Sequence, residues 1–379
     1  MKLARNLTFL TTPKINPMKN ITKLLVILVP LFWISGCSQD PGLVETNLSI
    51  DQILGDKKVI VYKGMLAFKD NATFDQIESD LADKDRDFIL AWEKNMGFKS
   101  LYSVYEDVVE EEARFLDQMV KKYGDGAEVT RTEMGYSSLT EKYLGNGALR
   151  ITHDELLDMD ITVPSLAPLV NSEGFVRVGN EIRQYKSTFV KVILDGDYNS
   201  IARLPEVKES TANVHVGSVE RTRTRVSDAS RTQALSSCSH TAGSHRIIGY
   251  EEHVVSNEGG SPCPVYRNDY YIRARSLKRI LGTWQNFRTN QFRFRGEVTL
   301  DHVNCDLSFN RNVHYAAYSS GGYSGEYHTY DYRLVLRYDT GPCVSSASTC
   351  SGPGYVVFRS GATRTHTVSG VNGTTCTMP

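Results

Sequence analysis

Six arginines in the C-terminal part of the chain have the spacing to do chemistry: Arg273 and Arg275, Arg293 and Arg295, Arg333 and Arg337. Each pair sits in an alternating segment. Tyr270, Ile272 and Ala274 alternate with Tyr271, Arg273 and Arg275. Phe292, Phe294, Val298 and Leu300 alternate with Arg293, Arg295, Glu297 and Thr299. Tyr330, Tyr332, Leu334, Leu336 and Tyr338 alternate with Asp331, Arg333, Val335 and Arg337. A period of two sets one face of a strand in a core and the other against water. With the apolar members inward, the arginines are expected together on a wet face. Guanidinium grips carboxylate, sulfate or phosphate oxygens through paired hydrogen bonds, which the lysine ammonium does not match. An anionic glycan or lipid headgroup is the ligand such an array suits. Plainer fates compete: arginine is a good exposed strand residue, Glu297 or Asp331 can pair with it, and an acidic first domain can face it. The Tyr/Ser/Gly run from Tyr315 to Tyr332 points to the same region, since such residues build adaptable recognition loops as well as ordinary hairpins.

Signatures of nucleophilic or metal-dependent catalysis are missing. The chain carries no GxSxG, HExxH, P-loop or GxGxxG motif. Asp301 with His302, His328 with Asp331, and the trio Glu251, Glu252 and His253 offer acid/base neighbours, but surface or turn roles account for each. The balance is toward a non-catalytic binding or scaffold protein with no catalytic residues, no cofactor and no nucleic-acid partner. The alternative is an exported hydrolase acting on glycan or peptide, because carboxylate pairs for glycoside hydrolysis are set by spatial rather than sequence distance.

Seven cysteines divide into one and six. Cys37 ends the sequence Ile34-Ser35-Gly36-Cys37, which resembles a bacterial lipobox: an aliphatic residue, two small residues, then the cysteine that receives lipid. Lys19 and Lys23 precede it as a positive region, and Leu24 to Trp33 form an apolar core. That core is shorter than the roughly 20 residues a membrane-spanning helix needs, so it reads as a secretory signal. Met18 is the expected start, with Met1 to Pro17 either an over-extended reading frame or a long n-region. The acylated Cys37 is expected to hold the mature chain on the outer membrane, the side it faces left open. Cys238, Cys263, Cys305, Cys343, Cys350 and Cys376 all lie in the C-terminal half. In an exported chain an even set of this kind reads as disulfides. Cys343 and Cys350 flank a Ser/Thr loop and can close it; the other four allow three pairings. A metal site around Cys238, His240 and His245 is the competing reading, and the absence of any CxxC pair tells against it, so no metal is expected.

The near-neutral total charge hides an asymmetry. From Ser38 to Val214 there are 20 Lys and Arg against 32 Asp and Glu, a net of −12; from His215 to Pro379 there are 18 against 12, a net of +6. Lys278 is the single lysine of the second part. Opposite signs give the two parts a reason to dock.

The elements follow from local patterns. Val59 to Tyr62 and Met65 to Phe68 flank a Lys-Gly turn and read as a hairpin. Thr73 to Gln76 has the capping-box form, with Phe74, Ile77 and Leu81 at helical spacing behind it. Phe88, Ala91 and Trp92 continue the pattern, and Gly97 is a natural stop. A helix over Ser100 to Tyr123 lines up Leu101, Val104, Val108, Phe115 and Met119, with Glu110, Glu111 and Glu112 expected on its solvated side. Gly179-Asn180 marks a second hairpin, between Phe175 to Val178 and Glu181 to Tyr185.

Phe68-Lys-Asp-Asn-Ala-Thr-Phe74, Trp92-Glu-Lys-Asn-Met-Gly-Phe98 and Asn171-Ser-Glu-Gly-Phe-Val-Arg-Val-Gly-Asn-Glu-Ile182 resemble a family of exported Bacteroidota lipoproteins of unknown function, over roughly residues 50–205. The resemblance implies export and supplies no catalytic residues.

The expected organisation is a signal over 1–37, a tether over 38–55, an α+β domain over 56–205, a linker over 206–237 containing Arg221-Thr-Arg-Thr-Arg225, whose alternation also allows an exposed edge strand, and a disulfide-stapled domain over 238–379. The last is expected to be mainly antiparallel all-β, as a sandwich or jelly-roll-like fold.

Overall fold

The computed structural model describes residues 50–379 apart from 56, 83, 223–236, 260–264, 288–292, 304–308, 321–331, 340–354, 359–364, 371, 372, 374 and 379. The segment expected as a signal with Cys37, most of the segment expected as a tether, Cys263, Cys305, Cys343, Cys350, His328 and Asp331 lie outside the described residues.

Helices come first. After α1 (Ile50–Leu54), β1 (Val59–Tyr62) and β2 (Met65–Phe68) form the expected hairpin, turning at Lys63 and Gly64 with positive φ of 48° and 76°. Helix α2 (Asn71–Ala82) starts two residues before Thr73, because the Asp70 carboxylate accepts from the Thr73 N–H at 2.8 Å and caps it. Helix α3 (Arg86–Met96) ends at Gly97 in the left-handed region, as expected. Its buried face is Ile89 and Glu93, whereas Phe88 is exposed and lies beneath Lys84.

The long helix α4 (Leu101–Tyr123) is capped by Ser100, and Leu101, Val104 and Val108 enter the core. Phe115 and Met119 pack beside the buried Leu116. Glu112 departs from the expected solvated side. It is buried, ion-paired with Arg131, and accepts from the Ser137 N–H at 3.0 Å and the Thr140 hydroxyl at 2.5 Å. These partners belong to the two short helices α5 (Arg131–Met134) and α6 (Ser138–Gly145), which Glu112 ties to α4. A small hairpin follows, β3 (Leu149–Ile151) with β4 (Leu157–Met159).

The remaining chain is mostly strand. Strands β5 (Phe175–Val178), β6 (Glu181–Tyr185) and β7 (Phe189–Ile193) are followed by β8 (Val214–Thr222) and β9 (Ser237–Ala242). The two longest, β10 (His245–Gly259) and β11 (Val265–Ile280), pair along nearly their whole length. Then come β12 (Thr283–Asn286), β13 (Arg293–Val303), β14 (Phe309–Ser320), β15 (Tyr332–Asp339), β16 (Tyr355–Phe358), β17 (Thr365–Ser369) and β18 (Thr375–Met378).

One 11-stranded sheet runs in the order β1-β2-β5-β6-β7-β8-β10-β11-β12, with β9 also on β10 and β15 also on β11. All its pairings are antiparallel except β2 with β5. The segment expected as a linker contributes β8, which pairs with β7 on one edge and β10 on the other. The sheet therefore passes from the acidic part into the arginine-rich part through β8. A second, five-stranded sheet has the order β14-β13-β17-β18, with β16 also on β13.

The main core gathers Phe68, Phe74, Leu101, Val108, Leu166 and Val190 between the helices and the first strands of the large sheet. Among the described residues no helix is long and apolar enough to cross a membrane.

Candidate functional site

Three of the four arginines of β11 face inward, and Arg279 near its end is exposed. Arg267, Arg273 and Arg275 are 0%, 3% and 4% exposed, which reverses the expected wet face for the latter two. The alternation is present, but the face carrying the arginines is covered by carboxylates from the first part of the chain. Asp158, in the middle of β4, receives Arg273 Nη2 at 2.6 Å on Oδ1 and Nη1 at 2.9 Å on Oδ2. Arg275 Nη2 lies 2.9 Å from the same Oδ2, and Arg150 stands 3.6 Å away. Burial alone raises a carboxylate's pKa, but the guanidiniums of Arg273 and Arg275 outweigh it and hold Asp158 well below the usual range.

A second lock sits along the same strand. Arg267 donates to both oxygens of Glu78 on α2, at 2.8 and 3.1 Å, and to both oxygens of Asp269, at 2.8 and 2.9 Å. On β8, Arg221 holds the Ile161 and Ser187 carbonyls at 2.9 and 3.1 Å and meets Glu252 at 3.4 Å. On β6, Arg183 pairs with Glu181 at 2.7 Å and approaches Glu258 at 3.7 Å.

The six arginines do not share one sheet. Arg333 and Arg337 on β15 stand opposite Tyr271 and Arg267 in the large sheet. Arg293 and Arg295 on β13 stand opposite Ser369 and Thr367 in the five-stranded sheet. The strand positions of these four are described, and their side chains lie outside the description.

The other candidates separate as well. Glu251 and Glu252 are fully buried at successive strand positions, so they point to opposite faces, and Glu252 is taken by Arg221. Cys238 is disulfide-bonded to Cys376, one of the three pairings the sequence allowed. His240 Nδ1 accepts the Thr375 N–H at 2.9 Å. The metal reading thereby loses a thiolate and an imidazole nitrogen. Asp301 and His302 fall just before the end of β13 at Val303, opposite Val357 and Val356 of β16.

An open cleft of about 430 Å³ lies where the inner face of the large sheet runs out from under the β3–β4 hairpin. Its floor is Arg246, Ile248 and Tyr250, every second residue of β10, with Leu277 directly opposite Arg246 on β11. Trp284 of β12 closes one side, Ser237 and Ser239 of β9 another, and Asp154 with Leu156 come from the β3–β4 turn. That turn passes through Glu155 at φ 60°. Arg246 is unlike the inner arginines. Among the described residues no carboxylate pairs with it, whereas Arg267, Arg273 and Arg275 each have one; its Nε is buried without a hydrogen-bond partner, as that of Arg275 also is. Its guanidinium carbon lies 5.9 Å from the centre of the Trp284 ring, within cation–π reach. A cavity of this size with an aromatic wall and a few convergent polar groups has the form of a small-molecule site, which typically spans about 300–1,000 Å³.

Arg246, Tyr250 and Trp284 were not among the residues the sequence pointed to. The available signal was the alternation of Arg246, Ile248 and Tyr250, masked by Gly249 and by the charged pair Glu251-Glu252. A smaller cleft of about 260 Å³ lies between α4 and the β11–β12 turn, with Leu116 and Ile280 among its walls and Glu110 and Asp117 beside them.

The chain matches no family model and no curated protein. Among solved structures it is similar to the crystal structure of a DUF4848 family protein from Bacteroides thetaiotaomicron, at 14% identity and a TM-score of 0.26. The match covers 83% of this chain and 95% of that one.

Proposed function

We propose that the chain is an exported lipoprotein of the cell envelope, anchored to the outer membrane through acylated Cys37, with a non-catalytic binding role. The anchor reading is supported by the apolar core Leu24 to Trp33 running into Ile34-Ser35-Gly36-Cys37. Two or more acyl chains give firm attachment, at about 0.8 kcal/mol per buried CH₂. The binding reading is carried by one observation: Arg246 stands in an open cleft beside Trp284 without a carboxylate partner. Arg267, Arg273 and Arg275 are instead spent on joining the two parts of the chain. The recognition site is therefore placed at the Arg246 cleft, Arg273 and Arg275 of the row first expected being held by Asp158. The Cys238–Cys376 bond between β9 and β18 supports reading the two sheets as layers of a sandwich, the architecture expected for this domain.

Fractionation with intact-mass analysis of the mature chain tests the address. A lipidated N-terminal Cys37 in the membrane fraction is expected, and Cys37→Ser is expected to move the protein to the soluble fraction. An unmodified Cys37 would sink the anchor.

A further inference from the structure

We infer that the Arg246 cleft binds an acidic saccharide, with one sugar carboxylate or sulfate on the Arg246 guanidinium and the adjoining sugar ring against Trp284. The inference rests on the reading of this cleft as the recognition site and adds the chemical class of its ligand.

The anion follows from electrostatic contrast. The inner arginines meet Asp158, Glu78 and Asp269 at 2.6–3.1 Å, the distances of charge-assisted hydrogen bonds. Arg246 shares their sheet and their face, yet among the described residues no carboxylate pairs with its guanidinium, whereas Arg275, whose Nε is likewise buried without an acceptor, has Asp158. A guanidinium partly withdrawn from water and without a carboxylate lacks a pair of oxyanion acceptors, and a ligand carboxylate or sulfate supplies one.

The saccharide follows from the rest of the lining. Trp284 is half-buried, and its ring is near enough to Arg246 for one ligand to touch both. An aromatic wall beside a charge suits a ring with an apolar face and a polar edge. Ser237 and Ser239 are exposed on β9 and can donate to or accept from ring hydroxyls. The exposed Asp154 carboxylate only accepts, so it suits hydroxyl donors. The same carboxylate disfavours a densely anionic ligand such as a nucleic-acid backbone. One anionic group per several hydroxyls is the pattern of a uronic acid or a sparsely sulfated glycan.

The test is titration calorimetry on the purified, detergent-solubilised full chain. The probes are an oligogalacturonate, a sulfated galactose oligomer, a neutral galactose oligomer of equal length and an acidic peptide. The proposal expects an anionic oligomer to bind and the neutral one to bind at least 10-fold more weakly. Arg246→Gln and Trp284→Leu should each weaken the anionic oligomer at least 10-fold, with Arg246→Lys intermediate. The galacturonate and sulfate arms tell which anion is preferred. Melting temperatures matching the parent establish that the variants fold; should Arg246→Gln melt early, Arg246→Lys carries the comparison. Equal binding of the neutral oligomer, unchanged binding by folded Arg246 variants, tighter binding of the peptide, or no binding of any oligomer overturns the proposal. A lipidated Cys37 with no saccharide binding removes the ligand class and leaves the anchor standing. An unlipidated chain that binds oligogalacturonate through Arg246 does the reverse.

Discussion

Arg273 and Asp158 form a parallel two-bond pair, Nη2 to Oδ1 at 2.6 Å and Nη1 to Oδ2 at 2.9 Å, across 115 residues of sequence with both partners buried. One comes from the longest hairpin of the large sheet and the other from a three-residue strand of the acidic part. Removing one member leaves the other desolvated and unmatched, which typically costs about 3–5 kcal/mol. Asp158→Asn keeps the shape and removes the charge that balances Arg273 and Arg275. Its unfolding free energy should fall by that amount, read as a lower urea midpoint with the slope unchanged. A midpoint within experimental scatter of the parent would show that the pair does not hold the two parts together.

The same carboxylate sets an acid limit. Asp158 is held below its ordinary value of 3.8, so the unfolded chain takes up its proton first as pH falls. Its contribution is complete above about pH 4 and is lost as pH drops through the folded value. Glu93 has the opposite sign. Burial raises it above 4.5 against the hydrogen bonds from Ser100 and Ser103, so ionising it weakens the fold as pH rises through the folded value. Urea midpoints between pH 2 and 7 should fall less steeply on the acid side for Asp158→Asn than for the parent. Glu93→Gln should gain relative to the parent as pH rises above about 4.5. Parallel curves for parent and both variants would remove the assignment.

The parity of the strands was legible, but which parity is covered was not. Alternation of Tyr271, Arg273 and Arg275 with Ile272 and Ala274 marks two faces, and arginine is ordinarily on the wet one. What covers that face is Asp158 and Glu78, whose place is set by tertiary packing. The charge difference between the two parts was the sequence trace of this docking, and it named the partner without the register. Short-range features were better specified. Gly97 and the Lys63-Gly64 turn need positive φ, which few residues adopt. Capping was misread by three residues at α2 because Asp70 competes with Thr73, and both are good N-caps. The cleft was hidden for a different reason: Arg246 and Trp284 are 38 residues apart and meet only through the β10–β11–β12 register.

Gly217 marks the crossing from one part of the sheet to the other. A Cβ built on it would lie 1.9 Å from the Asn257 carbonyl oxygen of β10, a backbone atom that cannot turn aside. Its conformation is ordinary for a strand, so the requirement is space and not φ. Gly217→Ala should therefore force β8 and β10 apart and cost about 1–3 kcal/mol, as overpacking typically does. Thermal melting checks this. Gly243→Ala tests a different constraint, since no atom lies within 4 Å of its built Cβ and only its φ of 60° resists substitution. Gly217→Ala melting with the parent would mean that the strands can separate at no cost.

Cys238 and Cys376 join β9 to β18 across 138 residues of sequence. Bridging so long a loop restricts the unfolded chain, and loss of a native disulfide typically costs about 2–5 kcal/mol. Cys238 also lies between Ser237 and Ser239 in the wall of the Arg246 cleft. The β9 strand is tied to the sheet along β10 only from Ser237 to Ala242, and the disulfide holds its other side. Replacing both cysteines by serine should therefore lower the melting temperature and also weaken the acidic oligosaccharide. The two effects separate by temperature. Well below the melting point the global loss no longer matters, and any remaining deficit in affinity reports a displaced β9 wall. Equal melting temperatures for the parent and the double variant would refute the stapling role, and full affinity in a folded but destabilised variant would free the cleft from it.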